Sequence, residues 1–278
     1  MKISIKKALF FTFFGILCQT QTVYGIIQPK AIIFVFSDVL ESNRTSMVSE
    51  IGLWNSLFNL TTALKSQTTM FKALEALYGP QTDSIKAYDP QPPHDELPVP
   101  FVNWLLGKNS AQVCNEIKKS LQAYKFPGGS SEKKFIFGVF DIIFDPARMA
   151  GTFGVKSDSL KLIEKISNGP IHPRLILVAN CNNQMFDNLR TMNPGSRVLR
   201  HFNDTYVSGH NKMLVEDPRL YQKIIEDHAF QASEYVIISS NKHAIQAAKS
   251  VGMHTIYSPD SIYSAGKDYC KSVHLIKR

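Results

Sequence analysis

Residues 31–43, with the sequence AIIFVFSDVLESN, constrain the fold more than any other stretch of the chain. An apolar run rich in β-branched and aromatic residues is followed at once by polar, turn-forming residues. This pattern predicts a buried parallel strand that delivers a loop at its carboxyl end. Because ligands of open α/β sheets bind at that edge, the residues just after Phe34 are candidate functional residues, and Val35 and Ser37 stand there.

The second half of the chain alternates between short apolar runs and amphipathic segments. Apolar runs at 175–178, 205–207, 235–238 and 255–257 predict strands, and the patterns at 157–166, 185–190, 219–229 and 244–251 predict helices. Such alternation is typical of a parallel sheet with helices on both faces. The predicted fold class is therefore α/β, with a three-layer, Rossmann-like core.

A mainly helical insertion separates the first strand from this alternating region. Residues 47–64 and 71–78 carry apolar residues at helical spacing, and 89–100 holds five prolines, which predicts a linker. Helical patterns return at 101–106, 111–123 and 133–144, where the Asp-Pro pair at 145–146 is expected to close the last helix. Residues 44–154 thus form a helical insertion with little strand signal.

The first 25 residues have the order of a secretory signal. Three lysines precede an apolar run from Ala8 to Cys18, and polar residues then lead to Gly25. The run is too short to cross a bilayer as a helix, which takes about 20 residues. Residues 1–25 are therefore predicted to be a signal peptide of an exported protein, periplasmic or secreted, without a stable membrane anchor after cleavage. A lipoprotein signal at Cys18 is a weaker alternative, since Leu17 stands where a small residue is needed.

Charge and cysteine content exclude several function classes. Removing three lysines and no acid lowers the formal net charge from +8 to +5, and the remaining lysines are scattered along the sequence. This distribution does not predict nucleic-acid binding, which needs a clustered basic face. Cys114, Cys181 and Cys270 have no metal-ligand spacing and allow at most one disulfide.

Four blocks of sequence, in their order and spacing, resemble the haloacid dehalogenase-like hydrolases. They are residues 31–43, 175–183 (LILVANCNN), 207–225 (VSGHNKMLVEDPRLYQKII) and 234–256 (EYVIISSNKHAIQAAKSVGMHTI). The resemblance implies a haloacid dehalogenase-like core formed by residues 26–43 and 155–278, with residues 44–154 as a helical cap inserted after the first strand.

The resemblance also assigns catalytic positions, and this chain departs from the family pattern at each of them. The family uses an aspartate nucleophile, a second aspartate as acid and base, a phosphate-binding hydroxyl, a lysine and one or two magnesium-binding acids. In the same order, the residues at these positions are Val35, Ser37, Ala179, Val215, and Ser239 with Ser240.

These departures predict that the inherited phosphohydrolase chemistry is lost. A valine side chain has no lone pair with which to attack phosphorus, and a serine hydroxyl does not replace a carboxylate as general base. Mg²⁺ is held mainly by carboxylates and phosphates, so neither a metal site nor another cofactor is expected. The prediction is a non-catalytic binding or scaffold protein.

A vestigial anion site and a relocated active site are the remaining possibilities. Ser37, Asn180, Ser239, Ser240 and Lys212 form the candidate anion-binding set, and the partner would be an unidentified protein or a small anionic ligand. The alternative function is a phosphatase-type hydrolase that uses relocated residues such as Asp38 and Asp217.

Overall fold

A computed structural model describes residues 28–42 and 99–275, and these contain seven β-strands. Their bounds are β1 Ala31–Val35, β2 Leu40–Ser42, β3 Phe153–Val155, β4 Arg174–Ala179, β5 Asp204–Val207, β6 Tyr235–Ser239 and β7 His254–Tyr257. Five of them form a parallel sheet in the order β5-β4-β1-β6-β7, with Ala31 opposite both Arg174 and Tyr235. The first strand in sequence is thus the central strand of the sheet.

Helices pack on both faces of this sheet. In chain order they are α1 Phe36–Val39, α2 Val99–Leu105, α3 Ser110–Leu121, α4 Gly129–Ile143, α5 Pro146–Gly151, α6 Ser157–Ser167, α7 Asn183–Thr191, α8 Gly195–Leu199, α9 Ser208–Asn211, α10 Pro218–His228, α11 Lys242–Ser250 and α12 Ile262–Ser272. Alternate β1 side chains enter different apolar clusters: Ile32 and Phe34 face one layer, and Ile33 and Val35 face the other. The predicted three-layer α/β fold class is confirmed.

A short antiparallel ribbon marks where the insertion leaves the core and returns to it. In this ribbon, β2 pairs with β3, placing Leu40 opposite Val155 and Ser42 opposite Phe153. Both ends of the intervening segment therefore meet the core side by side.

The described part of the insertion contains α2 to α5, which share an aromatic cluster. The Phe144 ring centroid lies 5.1 Å from that of Phe101 and 5.3 Å from that of Trp104. The Trp104 indole N–H donates to the Ser110 hydroxyl at 2.9 Å, which satisfies the buried polar atom of this side chain. The helices predicted at 47–64 and 71–78 lie outside the described residues.

Several sequence-predicted boundaries need correction. The predicted strands and helices between residues 157 and 257 are present with ends shifted by at most two residues. However, α2 already begins at Val99, inside the predicted 89–100 linker. The Asp-Pro pair at 145–146 follows the end of α4 as predicted, and it also begins α5, which was not predicted. The helix α12 was not predicted.

Two further findings concern the membrane and the cysteines. None of the helices within residues 28–42 and 99–275 is long and apolar enough to cross a membrane. The three cysteines in this part of the chain, Cys114, Cys181 and Cys270, are buried and unpaired.

The N-cap of α5 offers a stability test. The Asp145 carboxylate accepts hydrogen bonds from the backbone N–H groups of Ala147 and Arg148, both at 3.0 Å. Asp145→Ala removes this acceptor and should lower the free energy of unfolding by about 0.5–2 kcal/mol in a urea titration. Asp145→Asn keeps an acceptor and should retain most of that stability; an equal loss in both variants would contradict a capping role.

Candidate functional site

A buried carboxylate organises the carboxyl edge of the sheet. Asp38 lies in α1, directly after β1, and is only 3% exposed. One of its oxygens accepts from the Ser239 hydroxyl at 2.6 Å and the other from the Ser240 hydroxyl. The backbone N–H of Ser240 lies 3.2 Å from both oxygens. Both carboxylate oxygens are therefore paired within the protein.

The first turn of α6 holds Asp38 in this position. The Ser159 hydroxyl donates to the Asp38 carbonyl at 2.6 Å, and the Lys156 ammonium donates to the Ser37 carbonyl at 2.8 Å. The Lys156 N–H donates to the Val39 carbonyl at 3.0 Å. A single helical turn cannot satisfy its own last carbonyls, so these three bonds fix α1 against α6.

A second polar network joins β4, β6 and the loop before α10. The Glu216 carboxylate accepts from the side-chain amides of Asn180 at 2.8 Å and Asn241 at 3.0 Å. The side-chain oxygen Oδ1 of Asn180 accepts from the Val215 backbone N–H at 2.8 Å, and the Asn241 backbone N–H donates to the Ser239 hydroxyl at 2.9 Å. Ser239 thereby connects this network to Asp38.

The positions assigned to the nucleophile and the lysine are both in the apolar core. Val35 is 2% exposed and Val215 is 1% exposed, and both belong to the cluster that covers one face of the sheet. Ala179, at the phosphate-binding position, is 1% exposed and belongs to the opposite cluster. These three positions contribute packing and no polar side chain.

The candidate anion-binding residues do not converge on one point. Ser239 and Ser240 lie together, but they face the Asp38 carboxylate. Asn180 binds Glu216, while Ser37 is exposed. The Lys212 ammonium donates to the carbonyls of Leu106 and Gly209, at 2.6 and 2.7 Å.

The carbonyls at the end of α2 are bound by groups of the core. In addition to Lys212, the Asn182 amide donates to the carbonyl of Trp104 at 2.9 Å, and the Ser208 hydroxyl donates to that of Leu105 at 2.8 Å. Gly107 follows with φ of +93°, and a Cβ there would stand 2.6 Å from the Gly209 carbonyl oxygen. Only glycine fits this close approach between insertion and core.

The other candidate acid, Asp217, has a structural role. It is 2% exposed and caps α10 by accepting from the Arg219 N–H at 2.9 Å. The Arg219 guanidinium also donates to both of its oxygens. Asp217 therefore has no free oxygen directed at the ends of β1 and β6.

Two further groups near this edge, Cys181 and Tyr221, are held in their neutral forms by burial. Burial, with a smaller effect of Asp187, strongly raises the pKa of the Cys181 thiol, so a thiolate nucleophile is disfavoured. Burial, with a smaller effect of Glu216, raises the pKa of Tyr221, whose hydroxyl donates to the Val215 carbonyl at 2.8 Å.

A cavity of about 320 Å³ borders Asp38 and Ser240. Glu41, Lys156 and Asp260 also line it. No group of three or more His, Cys, Asp or Glu side chains in the described ranges is placed to hold a metal ion.

The sequence pattern did not reveal the pairing of Asp38 with Ser239 and Ser240. Asp38 follows a buried strand, and the two serines end another strand, so both signals were visible. The decisive fact is that β1 and β6 are neighbours in the sheet, which places residues about 200 positions apart in contact. The anchoring of α1 by Lys156 and Ser159 was also missed.

Comparison with solved structures identifies the architecture. A haloacid dehalogenase family enzyme from Bacteroides thetaiotaomicron, in complex with magnesium and inorganic phosphate, matches with a TM-score of 0.51 and 14% identity. The match covers 88% of this chain and 98% of that enzyme. A dehalogenase with an intermediate complex matches with a TM-score of 0.51 and 13% identity over 85% of this chain and 89% of its own.

The chain has the haloacid dehalogenase-like fold. At these identities the likeness establishes the fold alone. No family model matches the sequence, and no curated protein matches it. Within the haloacid dehalogenase-like frame, β1 and the Asp38 turn occupy the edge at which parallel α/β sheets bind ligands.

The hydrogen bonds from Ser239 and Ser240 to Asp38, called here the Asp38 cluster, predict a specific loss of stability. Asp38→Ala leaves the fully buried Ser239 hydroxyl without its acceptor and should lower the free energy of unfolding by about 1.5–3 kcal/mol in urea. Asp260→Ala is the control, since Asp260 lines the same cavity but is exposed. The control should change stability by less than about 0.5 kcal/mol. Similar small effects in both variants would show that the cluster is unimportant for folding.

Proposed function

We propose that this chain is an exported, non-catalytic haloacid dehalogenase-like protein that acts as a binding or scaffold protein. One observation carries the proposal: the Asp38 carboxylate occupies the hydrogen-bond donors of Ser239 and Ser240. A phosphoryl group needs such donors free. Here an internal anion takes the place of a substrate anion.

The two buried valines provide independent support. A nucleophile and its neutralising lysine would form a charged pair beneath the substrate, whereas Val35 and Val215 share one apolar cluster. Replacement of a buried charge pair by apolar side chains is often neutral or stabilising. Both positions therefore favour stability over catalysis.

The residues at the strand ends do not fit magnesium. Mg²⁺ requires near-ideal octahedral oxygen coordination, usually with one or two carboxylates and bound phosphate. Asp38 accepts hydrogen bonds at both oxygens, and Ser239 and Ser240 offer only hydroxyls that already donate to it. The Glu216 carboxylate likewise accepts at both oxygens, from Asn180 and Asn241. We therefore derive no catalytic step through a metal ion.

The proposed partner is a protein or a small anionic ligand, met after export to the periplasm or outside the cell. Signal cleavage within residues 1–25 would release the protein without a stable membrane anchor. Nucleic acid is not proposed as a partner, since the charges of the sequence are dispersed.

The alternative is a hydrolase with relocated catalytic residues. The cavity of about 320 Å³ beside Asp38 favours this possibility, because it offers space next to a carboxylate and the Lys156 side chain. The paired state of Asp38 and the capping role of Asp217 weigh against it. An attack by Asp38 would first have to break its bonds to Ser239 and Ser240.

An activity assay separates the two functions. The purified protein should show no turnover above background with a panel of phosphomonoesters, with or without Mg²⁺, because position 35 has no nucleophile. Asp38→Asn and Asp217→Asn should leave this background unchanged. Metal-dependent turnover that disappears in Asp38→Asn would establish the hydrolase and overturn the proposal.

Magnesium provides a second test that does not depend on choosing a substrate. A ligand that binds only the folded state raises the melting temperature according to its concentration relative to its Kd. Millimolar Mg²⁺ should therefore leave the melting temperature unchanged, at constant ionic strength, in differential scanning calorimetry. A clear rise relative to an equal ionic strength of NaCl would reveal a cation site.

A further inference from the structure

A second cavity lies at the opposite edge of the sheet, where β1, β4 and β5 begin. It has a volume of about 770 Å³ and is bordered by the residues just before these strands, including Lys30 and Asn203. This volume lies within the range of small-molecule sites. The cavity is separated from Asp38 by the length of the strands.

Among the described residues, the cavity is lined by cations and by no carboxylate. Its charged side chains are Lys30, Arg174 and Arg200, and the imidazoles of His172 and His201 also line it. Lys30 pairs with Glu234 and Arg174 pairs with Asp204, but neither acid belongs to the lining. The wall therefore presents donors and positive charge, a combination that favours an anion.

Arg200 is the side chain best able to bind a ligand there. Its guanidinium is exposed and forms no hydrogen bond or ion pair with any residue in the described part of the chain. A guanidinium binds phosphate or carboxylate through two parallel hydrogen bonds, which makes it a strong recognition group for such anions.

Two buried polar atoms in the same wall have no hydrogen-bond partner among the described residues. They are the Ser167 hydroxyl oxygen and Nε2 of His201. Burial, reinforced by Arg200, lowers the pKa of His201, so its ring is predominantly neutral at neutral pH. Unpartnered buried polar groups are rare in folded proteins, so two of them in one cavity wall support binding of a polar ligand there.

The remaining wall suits an organic ligand. Phe230 and Ile171 are half-buried and line the cavity beside the cationic groups. The Lys30 ammonium lies 5.3 Å from the Phe230 ring centroid, which places positive charge next to an apolar surface. We infer that this cavity binds a small organic anion, with its phosphate or carboxylate group on Arg200 and its carbon skeleton against Phe230.

Titration calorimetry with inorganic phosphate, sulfate and citrate tests this site at low ionic strength. Saturable binding of at least one of these anions is expected. Arg200→Gln should weaken that binding at least tenfold. The control is Arg197→Gln, which removes the same charge from an exposed residue of α8 outside the lining and should bind as the wild type does. Preference for phosphate or for citrate distinguishes a phosphorylated from a carboxylated ligand.

Nuclear magnetic resonance locates the bound anion. The ring signals of His201 should shift with saturation on addition of the anion, while those of His243, in α11 beyond the carboxyl edge, should not. Absence of saturable binding by all three anions would overturn the inference. Equal weakening in Arg200→Gln and Arg197→Gln would overturn it as well, because it would show only a general charge effect.

Discussion

The hydrogen bonds from Ser239 and Ser240 to the Asp38 carboxylate are the interaction on which the rest of this edge depends. A buried carboxylate is strongly disfavoured unless it is paired, so Asp38 fixes the distance between the ends of β1 and β6. The first turn of α6 also anchors α1, because the Ser159 hydroxyl of α6 donates to the backbone carbonyl of Asp38 in α1. Through Ser239, the constraint extends to Asn241 and Glu216.

Much of the fold was predictable because its signals are local. The apolar run of β1 and the alternation after residue 155 are read directly from periodicity, and both were confirmed. Local signals were incomplete where a residue pair has two roles. Asp-Pro was expected to end a helix at residues 145–146, and α4 does end at Ile143, just before this pair. The same pair also begins α5, which was not predicted, since aspartate caps a helix and proline suits its first turn.

The site was less predictable because its contacts are not local. The sequence identified Val35, Ser239 and Ser240 as unusual, but the partner of the serines depends on which strands are adjacent in the sheet. Lys212 illustrates the same limit. It was a candidate for an external anion, whereas it binds two backbone carbonyls because α2 ends beside α9. At the amino edge, the cations that meet in one cavity come from three separate stretches of sequence.

The bonds from the core to the last carbonyls of α2 have a consequence for motion. Caps that open and close over a site need an interface with few directional bonds, so that domains can separate at low cost. Here Asn182 and Ser208 each bind a carbonyl in the last turn of α2, Lys212 binds the next carbonyl along the chain, and Gly107 allows close contact of the two backbones. Separation would expose several unpaired groups together. The described part of the insertion is therefore built as a fixed wall of the domain, and a ligand would have to enter around it.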